Sequence, residues 1–127
     1  MKSKNTLPII LLIVCCLIIL SIFLIKTKLI LKIYNNIVLD NKEHYLSCDE
    51  LPTADKVKQV MNEHQNTLRE IEQINPGHVF VTAGDYENCV DKSDIVISYP
   101  SHQNKLEIEK IINGKTFFGV PYKLRNQ

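Results

Sequence analysis

Apolar and polar positions divide the chain sharply at its start. Leu7–Ile25 reads LPIILLIVCCLIILSIFLI and carries no charge. As a helix rising about 1.5 Å per residue, such a run is long enough for a hydrocarbon core of roughly 30 Å. The pattern predicts a transmembrane anchor at 7–25, preceded by a short cytoplasmic head at 1–6 with Lys2 and Lys4. Signal cleavage needs small residues at a fixed spacing after the apolar core. Ser21-Ile22-Phe23 and Ile25-Lys26-Thr27 both fail, so the expectation is an uncleaved anchor. Residues 26–43 read as a juxtamembrane linker. Lys28 and Lys32 would lie near headgroups and Tyr34 in the aromatic belt. Asp40-Asn41-Lys42-Glu43 is a polar break where free solvent is expected to begin.

The pattern then changes period, and 44–127 reads as one small extracytoplasmic α+β domain. His44–Cys48 has the length of an edge strand. From Ala54 to Asn75 the apolar residues Val57, Met61, Leu68 and Ile71 recur at helical spacing. Asp49, Pro52 and Thr53 supply start chemistry, and Asn75-Pro76-Gly77 stops the helix. His64 falls on its apolar stripe, as a packed or rim histidine. His78–Thr82 and Ser93–Tyr99 are β-branched and aromatic, hence a hairpin joined by the polar loop Gly84–Lys92.

Pro100–Gly114 carries two patterns at once. Ser101 is a cap, Ile108, Ile111 and Ile112 share a helix face, and Gly114 is a left-handed stop. Leu106–Glu109 alternates like a strand, and Asn113-Gly114 is a hairpin signal. The punctuation at both ends favours a helix. Thr116–Val120 is a last strand, closed by Pro121, and Tyr122–Gln127 is a basic, polar tail. The order strand, helix, strand, strand, helix, strand predicts a ferredoxin-like (βαββαβ) domain. Its alternative, if 101–114 is a strand, is one helix on an antiparallel β-meander.

Cysteine spacing sharpens this picture. Cys15 and Cys16 fall inside the apolar run as small fillers. Cys48 and Cys89, 41 positions apart, are the only thiols beyond it and read as one disulfide. In a ferredoxin-like topology the first strand ends at the same edge of the sheet as the hairpin between the second and third strands, which would bring the two thiols together. Lysines flank the anchor almost equally on both sides, so the positive-inside comparison is close to a tie. A structural disulfide persists only in an oxidising compartment, and this places the domain outside the cytoplasm. The expected location is the inner (plasma) membrane, single-pass, with the C-terminal domain periplasmic.

Charge and motifs narrow the chemistry. A net charge of +1 over 127 residues makes no case for nucleic acid. With 4 glycines, widely spaced, there is little to build a phosphate loop from. The soluble cysteines form no CxxC pair and no two histidines share a helix face, so no metal, cofactor or catalytic residue is assigned. Asp85, Glu87 and Asp91 make a solvated acidic loop. The remaining surface chemistry lies with Asp85, Tyr86, Glu87, Tyr99, Phe118 and Tyr122, the expected partner-binding residues. The expectation is a non-enzymatic, membrane-anchored protein. Its domain would bind another envelope protein, or an incoming one, as an accessory subunit or an inhibitor or immunity-type protein. The alternative is a small membrane-bound thiol-redox protein or enzyme using Cys48 or Cys89. No small-molecule substrate is implied.

Overall fold

The computed structural model describes residues 6–26 and 29–127. The expected head at 1–6 lies outside them except for Thr6, as do Thr27 and Lys28 of the expected linker. Two compact units are present, Met1–Tyr34 and Asn35–Gln127. The first holds α1 (Thr6–Lys26) and α2 (Leu29–Ile33). Among the described residues no single helix is long and apolar enough to cross a membrane. Pro8–Leu24 and Leu29–Val38 meet that requirement only together, as a bent pair.

The second unit is mixed α+β, with a four-stranded sheet and helices α3 (Ala54–Glu63), α4 (Gln65–Glu72) and α5 (His102–Ile112). Its strands are β1 (Phe80–Ala83), β2 (Ile95–Tyr99), β3 (Thr116–Phe117) and β4 (Val120–Asn126), in the order β1-β2-β4-β3. β1 and β2 form the expected antiparallel hairpin, and β2 runs parallel to β4. α5 connects these two parallel strands, as a crossover must. It starts at Ser101, whose side chain accepts the Asn104 N–H, and it stops at Asn113 with φ 46°, not at Gly114. A left-handed Asn at this position satisfies the same stop chemistry.

The ferredoxin-like topology is not what forms, and neither is the meander. The expected first strand at 44–48 is missing among the described residues. Tyr45 takes a left-handed φ of 57°, which an extended strand does not tolerate, and the nearest ladder contact is a single bridge between Lys42 and Leu124. β2 therefore pairs directly with β4. The last expected strand, 116–120, turns back on itself at Phe118 and Gly119, with φ of 48° and 87°. Two successive positive φ values make a tight hairpin turn. The expected polar tail Tyr122–Gln127 is thus mostly β4, an interior strand. Pro121 precedes the β2 register, which begins at Tyr122, so its missing N–H removes no bond to β2.

Register assigns the two faces of the sheet. Ile95, Ile97 and Tyr99 on β2 lie beside Tyr122 and Leu124 on β4, and all are buried with Val57, Val60, Leu68, Ile71 and Ile108 of the helices. Their partners Val96, Ser98, Lys123 and Arg125 face the other way. The expected helix over 54–75 forms in two pieces. Its break falls at His64, whose ring stacks on Phe118 at a centroid distance of 3.5 Å and meets Phe117 edge-on.

Candidate functional site

Two structures hold the chemically capable side chains of Asn35–Gln127. The first is the connection between β1 and β2. Cys48, in a short 3-10 turn at Cys48–Glu50, and Cys89 are joined as a disulfide with Cα atoms 5.4 Å apart. The expected pairing forms without the expected strand. What brings the two thiols together is an antiparallel contact between residues 51–54 and 91–93. The Ala54 N–H donates to Asp91 O at 2.9 Å, the Ser93 N–H to Pro52 O at 3.1 Å, and Lys92 Nζ to Leu51 O at 2.9 Å. The loop closes on itself where Ser93 Oγ donates to Gly84 O at 2.7 Å. At its crest Val90 is 82% exposed, beside exposed Asp85 and Glu87. An open cleft of about 570 Å³ lies under the loop, lined by Ala54, Lys58, Glu87, Val90 and Asp91 among others.

The second structure is a carboxylate cluster at the foot of β2. Asp94 is fully buried, and its Oδ2 receives Tyr86 Oη–H, His44 Nε2 at 2.8 Å and Lys123 Nζ at 3.2 Å. Lys123 also lies over the Tyr86 ring, 4.3 Å from its centroid. Burial, with the Asp94 carboxylate next, pushes the Tyr86 phenol above its usual range. The Leu46 N–H donates to His44 Nδ1 at 3.1 Å, so that nitrogen carries no proton and the imidazole gives its Nε2–H to Asp94. Both ring nitrogens are engaged internally. Ser93, next to Asp94, spends its hydroxyl on Gly84 O. The other Asp94 oxygen, Oδ1, has no hydrogen-bond partner and lies against Gly84, where a Cβ would come within 1.9 Å. Gly84 is dictated by this close approach, since its φ is not in the left-handed region.

Residues 40–43, expected as the start of free solvent, form with His44 a polar strap along the side of β4 opposite β2. Asp40 takes Lys105 Nζ at 2.8 Å and His102 at 3.0 Å, and its carbonyl accepts Tyr99 Oη–H. Asn41 Oδ1 accepts the Asn126 N–H at 2.7 Å. Lys42 exchanges both backbone bonds with Leu124 at 2.9 and 3.0 Å, and its Nζ reaches Glu109 at 3.2 Å and the Tyr122 hydroxyl. Glu43 pairs with Arg125 at 2.6 Å, and His44 ends the strap on Asp94.

The expected partner-binding residues are therefore scattered. Asp85 and Glu87 are exposed on the pinned loop, and Phe118 is 55% exposed at the hairpin tip. Tyr86 is half-buried against Asp94. Tyr99 and Tyr122 are core residues with internally bonded hydroxyls, so they present no surface. Sequence reasoning missed Asp94, His44, Lys123 and the strap. One signal was present, the alternation Tyr122-Lys123-Leu124-Arg125, which has the period of a strand. Among the described residues no three His, Cys, Asp or Glu side chains converge on a point that a metal could occupy. No protein-family model, curated protein or solved structure matches the chain.

Proposed function

We propose that this is a membrane-tethered, non-enzymatic binding protein. Leu7–Ile25, which reaches a spanning length only together with the bent continuation Leu29–Val38, anchors it as a single pass in the inner (plasma) membrane. The domain lies outside the cytoplasm and binds another envelope or incoming protein, as an accessory subunit or an inhibitor. The uncharged run and its exposed apolar side chains favour the anchor. The disulfide favours an oxidising compartment.

The observation that carries the binding reading is Val90. A large apolar side chain stands 82% exposed on a loop held by a disulfide and four hydrogen bonds. A loop fixed before contact loses little entropy on binding, and an apolar crest flanked by Asp85 and Glu87 fits a partner patch with basic and apolar groups. The tether raises the effective concentration of such a loop at the membrane. Photocrosslinking groups at positions 90, 118 and 58 of the full chain test this in intact membranes. Position 90 is expected to yield one discrete adduct that Val90→Asp, with the crosslinker moved to position 87, removes. No adduct at 90, or the same pattern at all three positions, overturns the reading.

A further inference from the structure

The unit Asn35–Gln127 begins with an apolar loop tip on a polar base. Tyr34–Val38 makes a wide π-helical turn, and the Asn41 N–H closes the loop by donating to Asn35 O at 2.8 Å. Asn35 Nδ2 donates to the Tyr45 hydroxyl at 3.2 Å. From Asp40 onward every residue through His44 is bonded to the domain. The base is thus fixed to the fold. The tip is not buried by it: Ile37 is 76% exposed, Val38 63% and Leu39 39%. Three consecutive large apolar side chains held out from a stapled base form a patch that water disfavours.

We infer that Ile37, Val38 and Leu39 sit in the headgroup–acyl boundary of the bilayer, so that the domain rests directly on the lipid surface. This rests on the anchor reading above. Chain continuity identifies lipid as the occupant. The tip follows directly on Leu29–Ile33 and the uncharged run, which also expose their apolar side chains. Tyr34, at the junction, is an exposed aromatic with a polar end, the residue type that favours this boundary. The strap removes the slack that a flexible linker would provide.

The chain contains no Trp, so one introduced Trp reports its own surroundings. Full-length Val38→Trp, Leu12→Trp and Phe118→Trp are reconstituted in phosphatidylcholine–phosphatidylglycerol vesicles. Some vesicles carry acyl chains brominated at their shallow end. Val38→Trp is expected to emit at shorter wavelength, to lose roughly half its emission to the bromolipid and to resist aqueous iodide. Ile37→Trp, on the same turn, is expected to repeat this. Leu12→Trp is expected to be quenched by deeper bromines, and Phe118→Trp by iodide only. Position 38 open to iodide while position 12 is quenched by lipid overturns the inference and leaves the anchor standing. Position 38 shielded from both quenchers means that protein covers the tip, a second copy or another chain, and also overturns it. An unquenched position 12 removes the anchor and the inference together.

Discussion

His44 and Asp94, 50 positions apart, meet at 2.8 Å from Nε2 to Oδ2 and fasten the end of a polar strap to the foot of the central sheet. The same oxygen carries Lys123 and Tyr86; Asp94 is fully buried, and the His44 and Lys123 side chains are nearly so. Removing one member of a buried, charge-bearing set leaves the others without compensation. Asp94→Asn is expected to lower the unfolding free energy by about 2–4 kcal/mol. His44→Phe, which keeps volume and leaves two donors on the carboxylate, is expected to cost about 1–2 kcal/mol. Urea denaturation with an unchanged slope checks both. Equal midpoints for Asp94→Asn and the parent would mean that the cluster contributes nothing.

Gly84 tests the packing of the same carboxylate. A Cβ there would stand 1.9 Å from Asp94 Oδ1 and 3.2 Å from Val96 Cγ2, and the Asp94 carboxylate is held in place by His44, Tyr86 and Lys123. Gly84→Ala is expected to destabilise by about 2–3 kcal/mol. Gly77→Ala makes a contrast, because there the cost comes from a φ of 78° in open space. Combining Gly84→Ala with Asp94→Ala is expected to cost less than the sum of the two, since the clash is gone. Strict additivity in that cycle would refute the close-approach account.

Cysteine accounting separates a structural pair from a reactive one. Denatured without reductant, the full chain is expected to show two titratable thiols, Cys15 and Cys16, and four after reduction. Four reactive thiols without reductant would favour the thiol-redox alternative. Closing a loop of 41 positions contributes about 4 kcal/mol in the chain-entropy account, and Cys48→Ser with Cys89→Ser is expected to forfeit most of it. Thermal unfolding of the double variant measures the loss.

The strap responds to pH from both sides. Burial alone would raise Asp40, but hydrogen bonds and charge from Lys105 and His102 outweigh it and hold the carboxyl below its usual range. A depressed acid stabilises the fold above its unfolded value of about 3.9, and that contribution is lost as pH falls through the folded value. Burial, then Asp40 and Glu109, raise the Tyr99 phenol. Its contribution is present below the unfolded value of about 10 and is lost as pH rises through the folded one. Amide exchange at Asn41 and Lys42 is expected to quicken in acid before the β2 amides do, and Asp40→Asn is expected to remove that acid step. The share of the phenolate absorbance that Tyr99→Phe removes is expected to rise together with alkaline unfolding, not ahead of it. A strap that exchanges no faster in acid than β2 would contradict this account.

Local pattern determined several features by itself. The uncharged stretch, the amphipathic 54–75, the β1–β2 hairpin, the capped helix from Ser101 and the pairing of the two soluble cysteines all follow from spacing and turn chemistry. Such signals are local, because a helix or strand repeats which side is apolar within a few residues. Only tertiary structure decided that Tyr122-Lys123-Leu124-Arg125 is interior strand rather than tail, that Tyr99 and Tyr122 are core, and that Asp40–His44 is strap rather than linker. The partners that Asp40–His44 find in the sheet and helices lie between 50 and 85 positions away, as His44–Asp94 and Asn41–Asn126 illustrate. Hydropathy assigns each polar residue to water one at a time. The fold instead buries them in complementary pairs, where a charge and its donors replace the solvent each would otherwise need. At the break of the predicted helix His64 meets the rings of Phe117 and Phe118, on a hairpin far along the chain, a contact that local pattern does not encode.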